Sequence, residues 1–255
     1  SLAENLNMTL GGTSEHTDGT AIDNFQDHVH SLYAQLEWQS TDWLKMVGGL
    51  QMNDSENYKV GYSPRLAAIF TPHENWSAKL LYGEAFRAAS AIETFVTIPG
   101  VLSSTSNVSP EKISTLEGQI LYHDMNSSAS VSIYRSRITD IIGRENTGLP
   151  GNLLITNTGE EVYKGIEFEG KYEIFTGLSI QGSANLQYGK NDEDIYNPTY
   201  YPNWMVKAGF VYEADGWSFA AFNSSYGDPE DIRGTNPNVL DVNDASKGYS
   251  LISAN

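Results

Sequence analysis

Five histidines, His16, His28, His30, His73 and His123, are the residues of this sequence best suited to acid–base or metal chemistry. Only His28 and His30 stand close together, and a metal site needs a third ligand that their spacing does not supply. The acidic groups Asp192, Glu193, Asp194 and Asp241, Asp244 lack the fixed spacing of an EF-hand loop and read as solvated loop acids. Serines are plentiful, but no Gly-x-Ser-x-Gly elbow supports a hydrolase triad. The chain has no cysteine, which removes disulfides, thiolate zinc sites, iron–sulfur clusters and cysteine nucleophiles together. The residues therefore assign no catalytic role, no metal and no cofactor.

The elements that would carry any site are strands. Leu178, Ile180, Gly182, Ala184, Leu186 and Tyr188 alternate with Ser179, Gln181, Ser183, Asn185 and Gln187, a period of two that a helix cannot produce. The same alternation runs through Leu32–Gln39, Leu44–Gln51, Ile166–Tyr172 and Trp204–Tyr212. Weaker strands are expected at Leu6–Gly11, Tyr62–Thr71, Trp76–Phe86, Thr115–His123, Ala129–Thr139, Trp217–Tyr226 and Tyr249–Asn255. The sum is about twelve strands in an all-β fold, with room for one helical turn at Pro110–Leu116.

Several of these strands run about 10 to 12 residues, beyond the usual 5 to 6 of a soluble sheet. Eleven residues reach roughly 36 Å, and a tilt of about 40° leaves roughly 28 Å, close to the apolar band of an outer-membrane barrel. Connections alternate as well. Short ones fall at Gln39–Trp43, Thr71–Trp76, Asp124–Ser128, Glu173–Gly177 and Glu213–Gly216; long ones at Gly11–His28, Asn53–Gly61, Glu84–Ile113, Asp140–Glu161, Gly189–Asn203 and Gly227–Gly248. Short periplasmic turns below and long extracellular loops above give that asymmetry. The long connections hold 21 of 32 acidic residues and 7 of 15 basic ones, so they carry −14 of the net −17. Such a balance is wrong for a nucleic-acid binder, which needs a basic patch. Trp43, Trp76 and Trp217 each follow a short turn, where an interfacial aromatic girdle would lie, although rim aromatics of a soluble core would also account for them.

Residues at several spaced places resemble one family. The runs Tyr62-Ser63-Pro64-Arg65-Leu66-Ala67-Ala68, then Lys79, then Tyr82-Gly83-Glu84-Ala85-Phe86-Arg87-Ala88-Ala89-Ser90 look like the barrel signature of TonB-dependent outer-membrane receptors. Val108-Ser109-Pro110-Glu111-Lys112-Ile113 followed by Glu117, and Tyr163-Lys164-Gly165-Ile166-Glu167-Phe168-Glu169-Gly170, are similar to two further strand motifs of that family. The resemblance implies an antiparallel transmembrane β-barrel of about 22 strands around a plug, of which about twelve are present here. It further implies residence in the outer membrane of a Gram-negative bacterium, among its lipids. Ferric siderophores, cobalamin or glycans are the cargo of such receptors, and TonB energises import by pulling on the plug domain. No plug or TonB box is found in this sequence. At about 21 residues per strand and connection, about 22 strands need roughly 460 residues, so 255 residues are expected to be a partial barrel domain, truncated at both ends and running from about the eighth to the nineteenth strand.

On this reading Glu167, Glu169, Lys171, Gln181, Ser183 and Asn185 face a wet lumen and the plug, while Ile166, Phe168, Ile180 and Leu186 face lipid. For ligand contact the resemblance points to cationic and aromatic residues of the long loops: Arg87, Phe95, Arg144, Tyr200 and Tyr201, suited to an anionic or aromatic iron chelate such as a ferric siderophore. Two rival readings stay open: a complete smaller barrel of about twelve strands acting as an outer-membrane enzyme or autotransporter translocator, and a soluble carbohydrate-binding β-sandwich.

Overall fold

A computed structural model describes residues 5–20, 24–56, 60–104, 108–148, 152–192, 201–214, 216–229 and 247–255. In chain order the elements are β1 (Leu6–Thr20), β2 (Asn24–Thr41), β3 (Leu44–Ser55), β4 (Gly61–His73), β5 (Trp76–Arg87), α1 (Ala91–Phe95), β6 (Leu102–Ser103) and β7 (Glu111–His123). They continue as β8 (Ser127–Thr139), β9 (Ile142–Asn146), β10 (Leu153–Asn157), β11 (Glu160–Phe175), β12 (Leu178–Asn191), β13 (Trp204–Ala214), β14 (Trp217–Tyr226) and β15 (Tyr249–Ala254). Twelve of the strands form one sheet in the order β1-β2-β3-β4-β5-β7-β8-β11-β12-β13-β14-β15, and β6-β10-β9 form a second. All twelve strands expected from period-two alternation are present in the large sheet.

Three local expectations fail. Pro110–Leu116 is not a helical turn: β7 begins at Glu111, and the β-branched Ile113 and Thr115 suit the pleat better than a helix. The short helix lies instead at α1, where Ser90 accepts from the Glu93 N–H and the Glu93 carboxylate accepts from the Ser90 N–H. This is a capping box, written as Ser90-x-x-Glu93. Most of Gly11–His28 is strand, because β1 and β2 stay paired from Leu6↔Trp38 out to Thr20↔Asn24. That places Glu15, Asp18 and Asp27 on strands. Asp140–Glu161 likewise contains β9 and β10.

The chain divides into two compact units: Ser1–Ala68 with Leu81–Leu116 and Ser136–Glu161, and Ile69–Leu80 with Glu117–Arg135 and Val162–Asn255. In the first, registers Met8↔Leu36↔Gly48 and Leu6↔Trp38↔Met46 lay apolar residues in rows on one face. In the second, Ile180↔Phe210↔Ala221 form an apolar row and Ser183↔Lys207↔Ser224 a polar one. A one-residue slip would exchange the two faces, so this patterning fixes the register.

Among the described residues the apolar rows are left exposed. Leu10, Leu32, Leu66, Ile120 and Ile133 are all more than half exposed, and Trp217 is 80% exposed. Among the described residues the buried apolar ones are Val96, Leu102 and Ile155, which lie beside α1 and in the small β6-β10-β9 sheet of the first unit. Among the described residues the buried apolar side chains thus lie in the long connections, while the strands of the large sheet present apolar surface outward, as a wall solvated by lipid must.

Short turns connect the strands at one end. Gly177, in the two-residue link between β11 and β12, has φ +94°, a conformation open to glycine at little cost. Between β7 and β8 the Asp124 carboxylate accepts from the Asn126 and Ser127 N–H groups and from the Tyr122 hydroxyl. The Tyr122 bond, followed by the Asn126 one, holds that carboxyl down at about 2.

Candidate functional site

The second unit gathers its polar residues on the face opposite the apolar rows. A concavity of about 500 Å³ is lined there by Glu169, Lys171, Gln181, Ser183, Lys207 and Ser130. Strand alternation puts every second residue of β8, β11, β12 and β13 on this side, which is why four residues singled out from sequence meet at one place. Further along the same strands, Asn185 donates from Nδ2 to Glu167 Oε1 at 2.8 Å, and from the neighbouring β7 Gln119 donates to Ser132 Oγ at 3.0 Å.

Beyond this concavity lies a run of tyrosines. The Tyr134 hydroxyl donates to Gln187 Oε1, and the rings of Tyr163 and Tyr201 meet at 5.9 Å with a 47° tilt. Each ring has a glycine beneath it: Tyr134 lies where a Cβ on Gly165 would stand, and Tyr163 and Tyr201 lie over Gly189. Missing side chains on β11 and β12 therefore allow the rings to lie down along the sheet. Tyr201 was expected from sequence; Tyr134, Tyr163, Gln187 and Lys207 were not. Alternation alone could have placed Tyr134 beside Ser132, and Tyr163 beside Gly165.

In the first unit a charged cluster joins two long connections. Arg87, the last residue of β5, donates from Nε to Glu111 Oε2 at 2.7 Å and from Nη1 to Glu93 Oε2 at 2.9 Å. Glu111 also accepts the Ile142 N–H at 2.7 Å. The Glu111 carboxyl is lowered by Arg87 first, against burial, with help from the Ile142 N–H. Burial would raise the Glu93 carboxyl, but Arg87 and Ser90 together outweigh it and the net shift is downward. Arg87 is held protonated by Glu111 and then Glu93. Nearby, Asn157 donates from Nδ2 to Ser109 O and Asp140 O and accepts the Ser109 N–H. β6 pairs in parallel with β10, which joins the segment between β5 and β7 to the one between β8 and β11.

The remaining expected ligand residues fall in the first unit or outside the described residues. Arg144 is exposed on β9, in register with Ile155. Phe95 ends α1. Tyr200 lies outside the described residues, as do Glu193, Asp194, Asp241 and Asp244. Among the described residues no three His, Asp or Glu side chains converge on a common metal position.

The model for the family described as TonB dependent receptor-like, beta-barrel, matches residues 4–255. Among solved structures, the chain is similar to the copper transporter OprC, at 16% identity and TM-score 0.75, over 99% of this chain and 46% of that one. It is similar to the FrpB iron transporter of Neisseria meningitidis, at 16% identity and TM-score 0.77, over 100% of this chain and 45% of that one. The siderophore receptor PirA of Acinetobacter baumannii aligns at 15% identity and TM-score 0.74, over 92% of this chain and 40% of that one. The chain thus spans less than half the length of these structures, and at such identities they speak to the fold alone. No curated protein matches the sequence. Matched by the family model over nearly all of its length, and folded as an antiparallel sheet with one bare apolar face, the chain belongs to the TonB-dependent receptor β-barrel family, the outer-membrane barrels of Gram-negative bacteria, and not to a family of enzymes.

Proposed function

We propose that this chain is part of the wall of an outer-membrane receptor that imports a scarce, large nutrient, with a ferric siderophore as the substrate class. The family match over residues 4–255 carries this reading. On it, the polar face bearing Glu167, Glu169, Lys171, Gln181, Ser183 and Asn185 lines the lumen and meets a plug domain carried elsewhere in the same polypeptide. TonB, acting through that plug, energises release. The long connections face the exterior, where Arg144, Phe95, Tyr200 and Tyr201 contact the ligand. Arg87 is committed to Glu93 and Glu111 and so serves the ligand by holding the loops.

Two observations favour an iron chelate. The Tyr134, Tyr163 and Tyr201 shelf offers aromatic faces and hydroxyls to a flat, hydrogen-bonding ligand. Two of the structures above are named for siderophore or iron transport, and one for copper.

The test is uptake of iron-55 presented as catecholate and hydroxamate chelates, by cells with and without the full reading frame and with and without TonB. Uptake of one chelate that needs both supports the proposal. Iron uptake indifferent to the gene, with copper or glycan uptake dependent on it, overturns the substrate class.

A further inference from the structure

The apolar face of the second unit changes character at one level. β8 carries Val131 and Ile133 there, and the next residue on that face is Arg135. β11, followed toward its start, carries Tyr172, Phe168 and Ile166 and then Lys164. β12 carries Ile180, Leu186 and Tyr188 and then Lys190. Arg135 and Lys164 are exposed, and their strands are neighbours in the sheet. On the polar face the Tyr134 ring lies over Gly165 and the Tyr163 ring over Gly189, which sets these residues level on adjacent strands. Their sequence neighbours on the apolar face, Arg135, Lys164 and Tyr188, are therefore level as well. Trp204, in register with Leu186, stands one row closer to the apolar stretch. Farther out, Arg137 Nε donates to Glu160 Oε2 at 3.1 Å, so the Glu160 charge is already balanced.

We infer that Arg135 and Lys164 dock the phosphate of an anionic lipid in the outer leaflet, whose acyl chains lie over Ile133, Ile166 and Leu186 and whose headgroup boundary is marked by Tyr188 and Trp204. Charged side chains next to hydrocarbon are tolerated where the headgroups begin, and Tyr and Trp favour the same level. Neighbouring strands are about 4.8 Å apart, so level cations on β8 and β11 can hold one phosphate between them. The Arg135 guanidinium offers two parallel N–H donors to phosphate oxygens, and Lys164 adds a compact charge. Charge complementarity gives the occupant its sign. The chain has a net charge of −17, and Lys and Arg number 15 in 255 residues, yet cations end the apolar rows of consecutive strands here. Lys190, half-buried beyond Tyr188, extends the same positive border. The inference rests on the long connections facing the exterior. It does not depend on what the receptor imports, because this face is the one turned away from the lumen.

The experiment is native mass spectrometry of the detergent-solubilised full-length receptor titrated with diphosphorylated lipid A, with lipid A stripped of its phosphates, and with inorganic phosphate as competitor. The parent should retain the phosphorylated lipid and bind the stripped one far more weakly. A cation near a charged lipid surface is worth about fivefold in affinity, so the Arg135→Gln, Lys164→Gln double variant should bind about thirtyfold more weakly, with its fold intact by circular dichroism. Arg135→Lys, which keeps the charge, should lose less than Arg135→Gln. A Lys45→Gln, Lys79→Gln double variant removes the same two charges near the short turns of β3 and β5 and should bind as the parent does. Added salt should weaken binding, and inorganic phosphate at the lipid's concentration should not displace it, because the acyl chains contribute on the apolar rows. The inference is overturned if the parent does not distinguish the two lipids, if the Arg135, Lys164 double variant binds as tightly as the parent, or if inorganic phosphate alone displaces the lipid. None of these readouts uses an iron chelate, so such a failure leaves the import proposal standing.

Discussion

Arg87 Nε donates to Glu111 Oε2 at 2.7 Å, tying the last residue of β5 to the first residue of β7 across the intervening connection. The same guanidinium holds Glu93 of α1, and the same Glu111 carboxylate accepts the backbone N–H of Ile142 at the start of β9. One cation and two carboxylates therefore gather four chain segments. The Arg87 side chain is 48% exposed, so solvent screens much of the Coulomb attraction, and geometry rather than charge count gives the cluster its value. Arg87→Ala is expected to cost about 1 kcal/mol of local stability. Hydrogen exchange checks this: amides of 88–104 and 142–148 should exchange about fivefold faster, while those of β13 and β14 stay unchanged.

Acid should undo the same cluster. Glu93 and Glu111 have lowered carboxyl values in the folded chain, so their contribution is fully present above the ordinary carboxylate range and is lost as pH falls through the lowered values. Between pH 7 and pH 5 loop protection should be flat; below about pH 4 it should decline. Glu111→Gln, which keeps one acceptor for Ile142 and removes the charge, should show weak loop protection at all pH values, and the acid step should shrink.

Lipid on one side and water on the other give adjacent residues opposite tolerances. Val206 is 42% exposed on the apolar face and Lys207 stands next to it on the polar face, lining the concavity. In the assembled barrel Val206→Arg should cost about 2–4 kcal/mol, and Lys207→Gln about 0.5 kcal/mol or less. Urea unfolding in lipid vesicles measures both. Equal costs would place Val206 in a protein core rather than against lipid.

Close packing over glycine makes another contrast. A Cβ on Gly209 would meet the ring of Phe222, its register partner, and the Ala221 carbonyl oxygen, whereas one on Gly118 would reach only Ile133 Cγ1, at 3.7 Å. Gly209→Ala should destabilise by about 1–3 kcal/mol. Gly118→Ala should be neutral or stabilise by up to about 1 kcal/mol, since it restricts the unfolded chain without a clash. Phe222→Ala in the Gly209→Ala background should recover only part of the loss, because the backbone oxygen remains.

These contrasts also show what the residues reveal by themselves. Alternation is a property of single strands, so Ile180 against Gln181 is enough to identify the strand and its two faces, and all twelve strands are legible. Where alternation ends, legibility ends. The β1–β2 pairing outlasts its apolar pattern, because beyond Leu10 both faces are polar and nothing in the sequence separates strand from loop. Ser109-Pro110-Glu111 resembles a helix start as much as Ser90-Ala91-Ile92-Glu93 does. Only the three-dimensional partners, Asn157 for Ser109 and Arg87 for Glu111, separate the two. Arg87 shows the same limit: its cationic type suits a ligand, and its engagement with Glu93 and Glu111 is a long-range fact. The tyrosine shelf depends on rings from three segments lying over Gly165 and Gly189, which no spacing within one strand encodes.

That shelf carries the last prediction. Tyr163 and Tyr201 pack against each other at 5.9 Å, so removing one loosens the other, and their losses should not add. An aromatic contact is worth about 0.5–1.5 kcal/mol, which converts to roughly a two- to tenfold loss of affinity. In the full-length receptor, Tyr201→Ala should weaken binding of the transported chelate by that factor, and Tyr163→Ala, Tyr201→Ala together by little more. Tyr188→Ala is the control: that residue is 52% exposed on the apolar face of β12 and should leave affinity unchanged. Fluorescence quenching by the chelate reads each constant. If Tyr188→Ala weakens binding and Tyr201→Ala does not, the ligand lies on the other side of the wall and the assignment of the polar face to the lumen is reversed.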